Sequence, residues 1–416
     1  MINRNEELPE DFFVSHVYKK CKLVMLIYYV DETTLGKTPF EFPFYKSAYV
    51  TIPEIDVEII KQDYKYIRDC VNNGKYEELH EGKAHYLSPC TKNSGRAFSF
   101  KLRYMNQLFR EYINADKILY DPETDQESLD LIREYDSIVS SPEELKEHTF
   151  EEIVLLKFEP YIGMTIADIR QSLMDVDDFE QWTMKSGLDK AEFARTTFAM
   201  LGISSEDAEE FVKSNTYVKT LRINEDGLMN EDISFPAFEF ADLVDETWEE
   251  SAVYDEMVER SFLWAIFKHD GNNFVFKGAK FWSLPKKDIE TIRQGWEDIR
   301  DIVKNGVSFA FDKKADGSYV KTKRGMKRIL NSFPDTRNTN PETKEYNLCR
   351  AAKPYNKIIS IRPHARLVYY DLKSLGYADT ESPRSNGSVL PNGDIMTKQC
   401  FWFNNEYILE QISDII

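Results

Sequence analysis

The stretch PEIDVEIIKQDYKYIRDCVNNG, residues 53–74, is matched without a gap by PKKDIETIRQGWEDIRDIVKNG, residues 285–306, at a spacing of 232 residues. Eleven of the 22 positions are identical. In each copy apolar residues recur at helical spacing, an aspartate stands near the start and a glycine ends the pattern, which predicts one helix per copy. A repeat of this period indicates duplicated domains and not a solenoid.

The sequence around each predicted helix repeats more loosely. Strands are predicted before the helices at residues 49–52 and 280–284, and aromatic strands after them at 98–104 and 401–407. We therefore predict an α/β (α+β) fold with a mixed central sheet and helices on both sides. The predicted domains are residues 1–117, a partial copy; residues 118–140, an acidic linker; and residues 141–416, a complete copy.

The chain has a net charge of −19, but this charge is unevenly distributed. Residues 1–120 are neutral, residues 121–260 carry 11 basic and 37 acidic side chains, and residues 261–416 carry 25 basic and 18 acidic side chains. Three stretches are rich in Lys and Arg: residues 91–110, 321–328 and 346–370. Such local patches permit phosphate binding by an acidic chain, and solvated surface is the alternative explanation.

Several classes of protein are not supported by the sequence. No apolar run is long enough to cross a membrane, and no secretory signal precedes the first strand, so we expect a cytoplasmic protein without a membrane partner. The five cysteines form no CxxC pair, which argues against a zinc site and for free thiols. Residues 36–38 resemble the end of a phosphate-binding loop, but Asp31 stands where that motif needs glycine.

Restriction-type nucleases use carboxylates and an E-x-K string at the end of a strand to hold Mg²⁺ and activate water. Two such strings occur, Glu144-Leu-Lys146 and Glu342-Thr-Lys344. The first lies in a predicted helix start, where Glu144 completes a capping box with Ser141, and the second lies in a turn-rich segment. Neither is therefore expected to be a metal site.

Four segments resemble MutH, the mismatch-repair endonuclease. Residues 15–26 resemble its S-H-V-x-x-K-x-K strand, residues 85–92 and 361–365 its Y-L-x-x-R-P-K strand and loop, and residues 96–101 its closing aromatic strand. Two such domains in tandem resemble the GATC-cleaving type II restriction endonucleases related to MutH. The resemblance covers nearly the whole chain and implies a restriction-endonuclease-like fold, with double-stranded DNA as the partner and Mg²⁺ as the cofactor of the family reaction.

The resemblance also implies roles for particular residues. Lys20 takes the place of a lysine in the catalytic cleft, although a solvated lysine on a strand edge is the alternative. Ser99 replaces a tyrosine of the family, and His364 replaces a lysine. The implied DNA-binding residues are Lys92, Arg96, Ser99, Lys101, Arg103, Arg362, His364 and Lys398.

The sequence departs from the family at the catalytic carboxylates. In the second copy, Thr220 and Arg222 stand on a predicted strand where the family has Glu and Lys, so this site is expected to be degenerate. A threonine lacks the charge that Mg²⁺ needs, and an arginine at this position cannot act as a base. Residues 1–117 resemble only the C-terminal half of a catalytic domain, so no intact metal site is expected.

We therefore interpret the chain as a DNA-binding part of a GATC-type restriction endonuclease, whose catalytic Asp and E-x-K are supplied outside it. By itself the chain is expected to be inactive as a nuclease. A non-catalytic DNA-binding or regulatory protein of the same fold, and an α/β protein of another function, remain alternatives. A partial domain exposes apolar surface, which predicts self-association or a separate polypeptide that carries the catalytic half.

Overall fold

The structure, a computed structural model, describes residues 7–79, 81–88, 98–114, 135–174, 190–205, 207–322, 324–333, 356–365, 368–378 and 383–416. The chain divides into two compact units. The first unit comprises Met1–Arg222 and Glu259–Ser283, and the second comprises Ile223–Val258 and Leu284–Ile416. Each unit contains one copy of the repeated helix.

The boundaries of these units differ from the predicted domains. Residues 141–222 and 259–283 lie in the first unit, whereas the repeat placed them in the second domain. They lie there because their apolar side chains, among them Phe150 and Phe267, share one core with Ile59 and Ile67 of the first long helix.

The helices include both copies of the predicted repeat, at α2 and α10. The α-helices of the described residues are α1 His16–Cys21, α2 Glu54–Asn72, α3 Leu102–Phe109, α4 Pro142–Glu147, α5 Phe150–Phe158, α6 Ile166–Leu173, α7 Lys190–Leu201, α8 Glu209–Ser214, α9 Phe240–Asp245, α10 Lys286–Asn305 and α11 Asn405–Gln411. The apolar stripe predicted for α2 is buried at Ile60, Tyr64, Ile67 and Val71.

The strands of the described residues form several small sheets and not one central sheet. They are β1 Val24–Tyr29, β2 Phe44–Val50, β3 Leu87–Ser88, β4 Ser99–Phe100, β5 Thr216–Ile223, β6 Ile233–Phe238, β7 Ser261–His269, β8 Phe274–Ser283, β9 Phe309–Phe311, β10 Ile329–Asn331, β11 Ile359–Arg362, β12 Tyr370–Leu372, β13 Tyr377–Ala378, β14 Gly387–Val389, β15 Ile395–Thr397 and β16 Gln399–Phe403. The sheets have the orders β1-β2, β3-β4, β5-β7-β8, β9-β10, β11-β16-β6 and β13-β12-β15-β14. The chain is thus of mixed α and β structure.

The aromatic strands predicted at residues 98–104 and 401–407 are each shorter than expected. In the first unit β4 ends at Phe100 and α3 follows, and in the second unit β16 ends at Phe403 and α11 follows. The prediction was wrong beyond these points because alternation of aromatic residues suggested a strand, whereas Tyr104, Gln107 and Leu108 are buried at helical spacing.

An equivalent hydrogen bond from a tyrosine to an aspartate is present in both copies of the repeat. In the first unit the Tyr104 hydroxyl of α3 donates to Asp56 Oδ2 at the start of α2, over 3.1 Å. In the second unit the Tyr407 hydroxyl of α11 donates to Asp288 Oδ2 at the start of α10, over 2.8 Å. Burial raises the pKa of both tyrosines, so both remain donors. The two aspartates occupy equivalent positions of the repeat, so the contact is itself duplicated.

The two copies use different side chains to position the segment that follows the long helix. Asp63 in α2 is buried, and its carboxylate accepts hydrogen bonds from the backbone N–H groups of His85, Tyr86 and Leu87, over 2.6 to 2.9 Å. Burial raises the pKa of Asp63 to about 6, and these three donors oppose that rise. The helix therefore positions the chain that enters β3.

Gly295 occupies the equivalent position in α10, and an asparagine side chain fills its place. A Cβ on Gly295 would lie 2.7 Å from Asn356 Nδ2 and 2.8 Å from Ile359 Cδ1. Asn356 Oδ1 accepts from the backbone N–H groups of Ile358 and Ile359, and its Nδ2 donates to the carbonyl of Thr291 in α10. In the second copy, therefore, the start of β11 is oriented by the side-chain amide of Asn356, a residue that precedes the strand and does not belong to the helix.

Four tryptophans are core residues. Trp264, Trp282, Trp296 and Trp402 are each less than a tenth exposed. Among the described residues, no helix has both the length and the apolar character needed to cross a bilayer.

We expect Asp63→Asn to lower the free energy of unfolding by about 3 kcal/mol, because an amide offers one acceptor oxygen and turns its NH₂ group toward backbone donors. Urea unfolding, followed by tryptophan fluorescence and circular dichroism, measures this loss. The matched control is Asp69→Asn, the same change in the same helix at a half-exposed side chain that contacts Arg68. An equal effect of both variants would contradict the role assigned to Asp63.

Candidate nucleic-acid interface

A lysine and several carboxylates meet in the interior of the first unit. Lys213, in α8, is fully buried, and its Nζ lies 2.9 Å and 3.1 Å from the two oxygens of Asp56. Glu209, one turn earlier in α8, accepts from the same ammonium over 2.5 Å, and Glu111 lies 4.0 Å away. The cluster links the start of α2 to α8 within this unit.

In this cluster, burial disfavours the charged forms of Asp56 and Lys213, and the attraction between the two side chains counteracts it. Burial raises the pKa of Asp56 to about 6, and Lys213 counteracts that rise. Burial alone would lower the pKa of Lys213, but Asp56, Glu111 and Glu209 raise it above its ordinary value. Both partners are therefore charged at neutral pH.

This cluster contains carboxylates beside a lysine, as a restriction-type active site does, but it does not fit Mg²⁺. The Lys213 ammonium takes the position between the carboxylates that a cation would need, and both oxygens of Asp56 are bound to it. Mg²⁺ also retains several waters, which a fully buried centre cannot accommodate. We conclude that the cluster is a structural ion pair.

The sequence alone does not reveal this cluster. Asp56 stands near a predicted helix start, where an acid interacts favourably with the helix dipole. Lys213 lies 157 residues away in an acidic region, and no local pattern connects the two. The i,i+4 pair of Glu209 and Lys213 is a local signal for part of the cluster.

The implied DNA-binding residues differ in their exposure. Lys20, Ser99 in β4, Arg103 in the first turn of α3 and His364 after β11 are exposed. Each can therefore be reached by a ligand. The strand predicted over residues 15–26 was wrong before Val24, because Lys20 lies in helix α1 and not on a strand edge. Lys92 and Arg96 lie outside the described residues.

The other implied residues are engaged within the protein. Lys101 is 8% exposed, and its backbone N–H donates to the carbonyl of Tyr86. Burial, with a smaller effect of the Lys101 charge, lowers the pKa of His85 to about 3, so that imidazole is neutral. Lys398 is paired with Glu239.

Arg362 occupies an internal position in the second unit. It is 9% exposed, its guanidinium forms an ion pair with Asp232, and its Cζ lies 4.1 Å from the centre of the Trp402 ring. The His364 ring contacts the same Trp402 ring edge-on, with centroids 5.0 Å apart. Arg362 and Trp402 thus form a support beneath the exposed His364.

The strand predicted at the degenerate site is present as β5. Thr220 and Arg222 are half-buried on it, and the Arg222 guanidinium lies 5.4 Å from the centre of the Phe193 ring. A hydroxyl and a cation are a poor donor set for Mg²⁺, so these residues do not fit the metal. The part of the chain that the structure describes contains no group of three His, Cys, Asp or Glu side chains able to hold a metal.

The E-x-K string of α4 has a structural role. Glu144 accepts from the backbone N–H of Ser140 over 3.0 Å, so it serves the start of the helix. The predicted capping box differs in detail, because the Ser141 side chain makes no capping hydrogen bond. The second string, at residues 342–344, lies outside the described residues.

The comparisons with known proteins identify the family. No protein-family model matches the chain. The chain is 31% identical to the type II restriction enzyme Sau3AI of Staphylococcus aureus over 456 aligned positions, which cover 100% of this chain and 82% of that enzyme. The chain therefore belongs to the family of type II restriction enzymes that includes Sau3AI, as its motifs predicted.

We expect Lys213→Met to lower the free energy of unfolding by about 3–5 kcal/mol near neutral pH, because the buried Asp56 loses its cation. This loss of unfolding free energy relative to the parent should become smaller as the pH is lowered from about 8 to about 5, since protonation of Asp56 removes the uncompensated charge. Urea unfolding of both proteins across this range measures the difference.

The double variant Lys213→Met/Asp56→Asn serves as the matched control. It should be more stable than Lys213→Met at neutral pH, and its stability relative to the parent should depend less on pH. A deficit in Lys213→Met that does not change with pH would contradict the ion-pair assignment.

Proposed function

We propose that the chain binds double-stranded DNA containing GATC as part of a type II restriction endonuclease. The observation that carries this proposal is the identity to Sau3AI, which extends over the whole chain and is not confined to one motif. The two-copy arrangement, with a MutH-like fold in each copy, is part of the proposal. The duplicated contacts Tyr104–Asp56 and Tyr407–Asp288 support it.

The exposed residues are proposed to face the DNA. Ser99 and Arg103 flank the junction of β4 and α3, directly after the basic segment that contains Lys92 and Arg96. In the second unit His364 is the proposed contact. Arginine reads guanine edges bidentately, and the other basic groups bind phosphate.

The internal residues are proposed to position these contacts. Arg362 is held by Asp232 and Trp402, and it would orient the segment that carries His364. Lys101 joins β4 to α3, next to Arg103. Lys398 is proposed to contribute less to DNA binding than the exposed residues, because its ammonium forms an ion pair with Glu239.

Hydrolysis of the phosphodiester is proposed to require an Asp and an E-x-K string supplied outside this chain. The donor sets at β5 and around Lys213 support this, because neither suits Mg²⁺. Lys20 remains the proposed cleft lysine and is exposed, as that role needs. The alternative, a non-catalytic regulatory protein, predicts the same DNA binding without any complementing polypeptide.

We expect the purified chain to retard duplex DNA containing GATC more strongly than a scrambled duplex, and to cut neither in the presence of Mg²⁺. Gel-shift and cleavage assays on the same duplexes, methylated and unmethylated, measure this. Equal affinity for both sequences would contradict the proposed specificity, and cutting by the chain alone would contradict the assignment of catalysis elsewhere.

An apolar face on the β1–β2 sheet supports association with another polypeptide. Met25, Ile27 and Tyr29 of β1 are about half exposed, and Phe44 and Tyr49 of β2 are exposed still more. Cross-strand pairing places Met25 opposite Tyr49 and Tyr29 opposite Phe44, so these side chains share one face. This face has no charged side chain and is therefore suited to protein and not to phosphate.

The opposite face of the same sheet is covered. Leu26 is buried, and the Tyr28 ring lies 4.3 Å from that of Phe109, centre to centre. The exposed face is therefore not required to hold the hairpin in place. We propose that it is buried by a second copy of the chain, and that a separate catalytic polypeptide is the alternative occupant.

We expect a concentration-dependent dimer in sedimentation velocity, because association of two such faces removes these exposed apolar side chains from water. Ile27→Lys/Tyr49→Lys should shift the chain to monomer. Leu228→Lys, at an exposed apolar residue of the second unit, should not. A parent chain that remains monomeric would contradict self-association and favour the separate polypeptide.

A further inference from the structure

The described residues between 312 and 328 of the second unit form two short hairpins in succession, and we call residues 312–328 the twin hairpin. Lys313 bridges to Tyr319 around the first turn, and Lys321 bridges to Lys327 around the second. Each turn ends on a glycine with positive φ, +81° at Gly317 and +83° at Gly325, which other residues rarely adopt. Strands β9 and β10, which pair with each other, join the twin hairpin to its unit.

Three backbone hydrogen bonds close the base of the twin hairpin. The N–H of Asp312 donates to the carbonyl of Arg328, that of Arg328 to Val320, and that of Val320 to Asp312, each over 2.8 or 2.9 Å. The three residues are spaced eight apart, so each hairpin contributes one side of a closed triangle. Both hairpins are therefore fixed relative to one another.

The sequence of the twin hairpin is strongly basic, with seven Lys or Arg and two Asp in a chain of net charge −19. Its cations are on the surface. The described basic residues Lys313, Lys314, Lys321, Arg324, Lys327 and Arg328 are all exposed.

The two acids of the twin hairpin have internal roles. Asp312 is buried and forms an ion pair with Arg328 at the base. Asp316 accepts from the backbone N–H and the hydroxyl of Ser318 within its own turn. Arg328 is thus paired with Asp312 at the base of the twin hairpin, and the two acids do not form an exposed negative patch.

Aromatic rings position part of this charge. Lys327 Nζ lies 4.1 Å from the centre of the Tyr319 ring and 4.8 Å from that of Phe311. Lys313 Nζ lies 5.6 Å from the centre of the same Tyr319 ring. Ammonium groups held in this way lose less side-chain freedom when they bind an anion.

We infer that the twin hairpin is a binding site for the phosphate backbone of duplex DNA. A fixed set of exposed cations matches the closely spaced charges of a duplex, whose phosphates attract Lys and Arg without regard to sequence. The inference rests on the proposed function and extends it, since the site lies outside the residues that the family resemblance implies. The twin hairpin supplies affinity, while specificity comes from other residues.

The test compares the parent with Lys313→Gln/Lys321→Gln, which removes two cations and leaves Tyr319 and both glycine turns intact. Binding to a GATC duplex and to a scrambled duplex of equal length is measured by fluorescence anisotropy at several salt concentrations. The matched control is Lys287→Gln/Lys304→Gln, the same loss of charge at exposed positions of α10 in the same unit.

The twin-hairpin variant should bind both duplexes on the order of tenfold more weakly or worse, and its slope of log affinity against log salt should fall by about 0.9 for each phosphate that the variant no longer neutralises. The control should keep the parent slope. A parent that binds neither duplex refutes the proposed function, and this inference with it. A parent that binds, with an unchanged slope in the twin-hairpin variant or a loss confined to the GATC duplex, overturns this inference alone.

Discussion

The hydroxyl of a tyrosine, bound to an aspartate in the first turn of a long helix, is the contact on which each copy of the repeat depends. It connects residues that are far apart in the chain, Tyr104 with Asp56 and Tyr407 with Asp288. A carboxylate taken out of water needs donors, and a buried tyrosine hydroxyl needs an acceptor. The closing helix and the long helix therefore satisfy each other's polar groups.

Around this shared contact the two copies have diverged in how they compensate buried charge. In the first unit Asp56 also binds Lys213, and Asp63 binds three backbone N–H groups. In the second unit Gly295 has replaced the second carboxylate, and Asn356 provides the hydrogen bonds from the other side. At this one position of the repeat the first copy thus uses a buried carboxylate and the second a neutral amide.

The basic residues also divide into two groups, those that are held inside the protein and those that are exposed on its surface. Arg362 belongs to a DNA-binding motif by resemblance, yet it is held internally by Asp232 and Trp402. The exposed cations are found instead on short turns and at helix starts, as at Arg103 and in the twin hairpin. A motif arginine can therefore serve by supporting a neighbour, and exposure decides which cations can reach a phosphate.

The sequence by itself determined the repeated helix, the family and β5, because each depends on local periodicity or on identities within a motif. It also placed the basic stretch at residues 321–328 without its geometry. Only the tertiary structure decided that Lys213 neutralises Asp56, that Arg362 is internal, and that residues 141–222 pack in the first unit. These features join residues that are distant in the chain, and burial and charge pairing at such separations leave no periodic trace in a single sequence.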